Sequence, residues 1–340
     1  MIVRIGLAQA PLYPNVTCSE AIVMPIRSLS SPTGPAGWPE LPYEAWRDTC
    51  ETLHMWTQIV GKIRKVQSPW VNHSWNVPLY VTAHGLTTSP IPYGNRLFQI
   101  DFDFVDHQLA IQCSDAPTEV IPLVPRSVAD FYHQLFSRLS ALGLDIKIHG
   151  APNEVLNPVP FQEDTKHASY DSEAANRFWQ VLAQADRVFK QFRGRFIGKC
   201  SPVHFFWGSF DLALTRFSGR RAPAFSGSVP NCPDWVMREA YSHEVCSCGF
   251  WPGSDALPLP IFYTYAYPEP AGFNTHRVMP ETARYDPNFR EFILPYEEVR
   301  HASSPDQMLL EFLEDAYAAA ATLGKWDRQA LETTEPIYHT

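Results

Sequence analysis

The chain has 340 residues, 45% of them apolar and 13% aromatic, enough to bury a large core in one or two domains. Its net charge of −9 argues against a nucleic-acid-binding face, and no run of 18 apolar residues offers a membrane span. The seven cysteines are dispersed apart from one C-x-C, Cys246 and Cys248, so they fit neither a disulfide framework nor a four-ligand zinc site. Free thiols and a cytoplasmic protein are expected.

Residues 1–37 are rich in Pro, Ser and Gly, lack periodicity and read as an irregular tail. The first helix is expected over 43–66, with Trp46, Cys50, Leu53, Trp56, Val60 and Ile63 as its apolar stripe. Its polar stripe, which includes His54, Gln58, Lys62 and Lys65, reads as solvent-facing. Ser68-Pro69 ends it. Strands are expected at 77–85, 97–104, from 109 and from 119. A helix over 127–142 closes the unit, and 144–150 reads as one more strand. The proline-rich stretch 151–170 reads as a linker. The second half has a helix over 172–196, a long strand over 205–217, a hairpin built from EAYSHEVCSCGF and PIFYTYAY, a strand REFIL and a helix over 306–323. Both closing helices end in Leu-Gly, a C-cap signature.

The halves also match each other. A shift of 133 residues aligns eight identities between 46 and 90, among them Trp46/Trp179, Gln58/Gln191 and Leu79/Leu212. The expected fold is α+β, with two sequence-related repeats over 38–150 and 171–330. Each is a helix, a four-stranded antiparallel sheet and a helix; 331–340 is a C-terminal tail.

Strand period puts Trp207, Ser209, Asp211 and Thr215 on the face away from the helices, with Tyr263 and Tyr265 on the matching face of their own strand. Glu239, Tyr241 and His243 share a face if 239–245 is a strand. Aromatic walls with a few polar groups are usual pocket linings. His243 is the candidate acid or base, oriented by Asp211, with Glu239 as a second carboxylate. Trp207, Tyr241, Tyr263, Tyr265 and Arg216 are the candidate ligand contacts. The expected function is small-molecule binding or acid–base catalysis; the alternative is a protein-docking module using the same face. No phosphate loop, nucleophile elbow or metal-ligand spacing occurs, so no metal or other cofactor is assigned. His84 with Asp101 and Asp103, or His204 with His243 and Glu244, are the sets a fold could gather around a metal.

The stretches LHMWTQIVGKIR, NVPLYVTAHGLTTSPIPYG, FDFVDH, GKCSPVHFFWGSFDLALTRFSGRRAP and EAYSHEVCSCGFWPG resemble a bacterial family catalogued only as a domain of unknown function. The resemblance covers about 38–330 and implies no activity.

Overall fold

The computed structural model describes residues 37–333. The tail expected over 1–37 lies outside these residues up to 36, as does 334–340 of the C-terminal one. Residues 331–333 are not a tail, because the Ile197 amide donates to the Leu331 carbonyl at 2.8 Å.

Helix α1 (Tyr43–Gln67) buries its apolar stripe as expected, and Trp56 stacks on Phe131 at 4.6 Å. The middle of its polar stripe is buried too: Gln58 is 0% and Lys62 4% exposed, while Lys65 stays exposed. The cause is the 151–170 segment, which packs over α1 and brings Phe161 and Asp164 to 0% and 1% exposure.

The first sheet has strands β1 (Tyr80–Val81), β2 (Gly85–Thr87), β3 (Ile91–Tyr93), β4 (Arg96–Asp103), β5 (Gln108–Cys113) and β6 (Ala116–Pro122), followed by α2 (Val128–Ala141). Their order is β1-β2-β4-β5-β6, with β3 also on β4 and every pairing antiparallel. Phe98, Ile100, Phe102 and Phe104 point into the core, as the alternation predicts. Ser127 caps α2 by accepting from the Asp130 amide, and Gly143 leaves it at φ 72°. Residues 144–150 form no strand.

Helix α3 (Ser172–Gly194) opens the second half, capped by Asp171. Then come β7 (His204–Phe206), β8 (Asp211–Arg221), α4 (Asp234–Ala240), β9 (His243–Trp251), β10 (Ile261–Tyr267), β11 (Arg284–Asp286), β12 (Glu291–Pro295), α5 (Tyr296–His301), α6 (Pro305–Leu323) and α7 (Arg328–Leu331). The sheet order is β11-β12-β10-β9-β8-β7, again antiparallel. Each sheet therefore has six strands rather than four. The additions are strands of two or three residues, too short to show a period.

The sheets meet edge to edge. Leu79 and Phe205 exchange two backbone hydrogen bonds of 2.9 Å, linking the β1 edge to the β7 edge. Side chains of α1, α2, α3 and α6 join both sheets in one continuous core. The 133-residue shift does not follow this topology. It carries Tyr43, the first residue of α1, to Asn176, whereas α3 begins at Ser172. It equates Leu79 with Leu212, yet these two lie on opposite sides of Phe205 as its neighbours.

Candidate functional site

Tyr263 and Tyr265 of β10 face away from α3 and α6, in a second core with Ala213, Phe217, Val245 and Trp251. Gly249 of β9 lies under Tyr263. A Cβ there would sit 2.3 Å from the Tyr263 hydroxyl and 2.4 Å from the Leu212 carbonyl oxygen. Without it, Tyr263 crosses β9 and donates its hydroxyl to Asp211 Oδ2, while Ser209 Oγ donates to Oδ1. The Tyr241 and Tyr265 hydroxyls meet at 3.0 Å, and those of Thr215 and Ser247 at 2.9 Å. Burial pushes the Tyr241 and Tyr265 phenols up, so both stay protonated.

This aromatic face is covered. Tyr241, Tyr263, Tyr265 and Asp211 are at most 2% exposed, and Phe225 stacks on Tyr241 at 4.8 Å. Residues 222–242, including α4, form the roof. The face is thus neither an open pocket wall nor a docking surface.

Several expected site residues are separated by the fold. His243 pairs with Arg221 at one end of the β8–β9 ladder, whereas Asp211 precedes Leu212, the partner of Phe250, at the other. Eight residues of β9 at 3.3 Å each put them about 25 Å apart. Proton transfer needs direct contact or one water, so they are not an acid–base pair. Glu239 is on α4 rather than a strand and accepts from the His73 amide. His243 and Glu239 do share one neighbourhood with His73 and Lys199. The two histidine rings lie 5.9 Å apart, and Lys199 Nζ donates to His73 Nε2 at 2.9 Å. Burial, then Lys199, pulls His73 down to about 4 and lowers His243 as well.

Arg216 points to the helix side. Its guanidinium lies 3.4 Å from the Phe192 ring centroid and 4.3 Å from that of Tyr317, and it donates to the Phe192 carbonyl. Residues 207–210 form a turn between β7 and β8, with Phe210 at φ 58°, so the strand period breaks there. Trp207 consequently enters the helix-side core. It sits against Gly61 of α1, where a Cβ would approach its ring to 2.1 Å, and donates Nε1–H to the Val77 carbonyl at 2.9 Å. His54 is no surface histidine. Its Nε2–H donates to the Gly208 carbonyl at 2.9 Å, its ring packs on Phe210, and burial pulls its pKa to about 4.

The structure brings together a different set of groups. Trp207, Trp70 and Trp235 border a cavity of about 130 Å³, whose wall also includes Lys65, Asn153 and Cys232. Trp70 and Trp235 are 60% and 50% exposed, at the mouth. Glu154 adjoins it. Its predecessor Asn153 lines the cavity, and its charge acts on Cys232, another lining residue. Glu154 is buried at φ 61°, and no described residue hydrogen-bonds either carboxyl oxygen. Burial, followed by the negative charge of Asp211, raises its pKa to about 8. Burial, followed by Glu154, raises the Cys232 thiol to about 12, which keeps it uncharged. Lys62, whose ammonium donates to Asn153 Oδ1 at 2.5 Å, is pulled down to about 8, chiefly by burial and then by Lys65.

One face of α1 holds these parts in place. His54 and Gly61 seat the 207–210 turn that leads into Asp211, while Gln58 and Lys62 seat Asn153. Their spacing of three and four residues is helical. Sequence reasoning missed Glu154 because it stands alone in a proline-rich stretch. The signal was in α1, where a polar stripe of the length of a core helix needs partners of its own.

Of the metal-ligand sets, only His84 with Asp103 gathers, joined by Asp106; their ligand atoms lie within 4.8 Å of one another among the described residues. Asp103 Oδ1 already accepts from the Val105 and Asp106 amides, so it closes the β4–β5 turn. His204 has no described hydrogen-bond partner and is walled by the rings of Trp75, Tyr80 and Phe206, which leaves it neutral, with a pKa of about 3.

The fold and the site define an α+β protein with two antiparallel sheets and a buried carboxylate beside a tryptophan-lined cavity. The chain belongs to DUF5996, a family of unknown function, whose model matches residues 38–333. No curated protein and no solved structure matches it. No helix among the described residues is long and apolar enough to cross a membrane.

Proposed function

We propose that this protein binds a small organic molecule in the cavity bordered by Trp70, Trp207 and Trp235, with Glu154 behind its wall as the proton donor. Glu154 carries the reading. A buried carboxyl group whose oxygens no described residue bonds, close to a second carboxylate, is costly to keep. At neutral pH Glu154 holds a proton that it can donate. Asp211, bonded by Tyr263 and Ser209, supplies the negative charge. The six described cysteines are all free, which supports a reducing, cytoplasmic setting.

A fragment screen by protein-observed NMR tests this. Hits should shift the indole N–H signals of Trp207 and Trp235, and Trp235→Ala should abolish their binding. If every hit maps elsewhere on the protein, the reading fails.

A further inference from the structure

We propose that the cavity's ligand is a single-ring aromatic carboxylate, its ring between the tryptophans and its carboxylate paired with Lys65. This rests on the reading that the cavity binds a small molecule. A volume of about 130 Å³ is close to that of protein cavities that hold one benzene ring. Three indoles in the wall favour a flat aromatic body.

Charge decides the rest. Among the lining residues Lys65 is the one basic side chain; Cys232 is the other titratable residue, and its thiol is pushed up to about 12. Lys65 is exposed and has water on one side to lead a charged group in. Lys62, three residues earlier on α1, has its ammonium disfavoured partly by Lys65, so the two cations repel. An anion at Lys65 offsets that repulsion, and a cation adds to it. The carboxyl groups behind the wall do not reverse the preference. Glu154 is protonated at neutral pH, and the hydroxyls of Tyr263 and Ser209 cover both oxygens of Asp211.

Isothermal titration of the full chain at pH 7 with benzoate, benzyl alcohol and benzylamine tests the assignment. Benzoate should bind at least about tenfold tighter than the alcohol, and the amine should give no binding heat. Lys65→Met should bring benzoate to the level of the alcohol. Trp235→Ala should remove binding of both; its side chain is half exposed, so the fold should survive. If the alcohol or the amine matches benzoate and Trp235→Ala still removes binding, the cavity is a ligand site and the anionic class is wrong. If none of the three binds while NMR hits shift Trp207 and Trp235, the aromatic carboxylate class is wrong. If no fragment shifts these tryptophans either, this proposal and the functional reading fall together.

Discussion

Gln58 grips Asn153 by both backbone groups. Its Nε2 donates to the Asn153 carbonyl at 2.9 Å, and its Oε1 accepts from the Asn153 amide at 2.8 Å. On the far side, Asn231 Nδ2 donates to the Val155 carbonyl at 2.8 Å, and the Glu154 amide donates to the Pro230 carbonyl at 3.0 Å. Glu154 is clamped between these, which is how a non-glycine residue is kept at φ 61°.

Replacing Gln58 by Leu should cost about 2 kcal/mol, because two backbone groups lose their partners where water has poor access. Gln58→Glu keeps an acceptor for the Asn153 amide but loses the donor, and should fall between wild type and Leu. Urea denaturation measures both. Equal stability of all three proteins would show that the clamp contributes nothing.

Glu154 should make stability fall as pH rises. Its pKa is raised from 4.5 to about 8 on folding, so the folded state holds the extra proton between these values. The stabilisation is complete below about 4.5 and lost as pH climbs through 8, by an amount on the order of 5 kcal/mol. Glu154→Gln should flatten this segment of the curve and be the more stable protein above pH 8. Denaturant midpoints across pH 4 to 9 give the comparison, and parallel curves would refute the raised pKa.

Gly249→Ala should destabilise by about 3 kcal/mol, since the new methyl group meets a backbone oxygen and a buried phenol together. Tyr263 must then leave Asp211. Near-ultraviolet circular dichroism should change with the loss of stability. An unchanged spectrum with an unchanged melting temperature would rule out the packing described for Tyr263.

Arg216→Met should cost about 3 kcal/mol, because it removes the cation from between Phe192 and Tyr317 and leaves Glu314 without one of its arginines. Affinity for any ligand at the tryptophan cavity should stay the same, as Arg216 is not among the residues that line it. A large loss of affinity at intact stability would return Arg216 to the binding site.

The four long helices could be read from the sequence because each repeats its apolar residues over more than three turns. The first is expected over 43–66 and found over 43–67. The faces of β10 were legible for the same reason: four aromatic or aliphatic residues alternate without a break. Turn 207–210 was not, because FFWGSFDLALTRF has the composition of one strand, and only the left-handed Phe210 shows that it is two. Helix α4 has seven residues, under two turns, and its Glu-Ala-Tyr end continues into β9 without a stop signal. The second Leu-Gly pair misled differently. Gly324 is helical at φ −74°, and Lys325 at φ 53° takes the left-handed position instead. As for the site, His243 and Asp211 share a face but not a strand end, and register over ten residues of strand depends on a bulge between Phe217 and Arg221 that no local pattern announces.

Joining β1 to β7 through Leu79 and Phe205 has a consequence for self-association. The seam uses up one border of each sheet, and the outermost strands are left at β6 and β11. Strand β6 carries Pro117 and Pro122, which have no amide hydrogen to offer a newcomer, and β11 is three residues long with a charge at each end. Each is a poor template for another chain. The molecule can thus carry a wide antiparallel ribbon without inviting copies of itself to extend it.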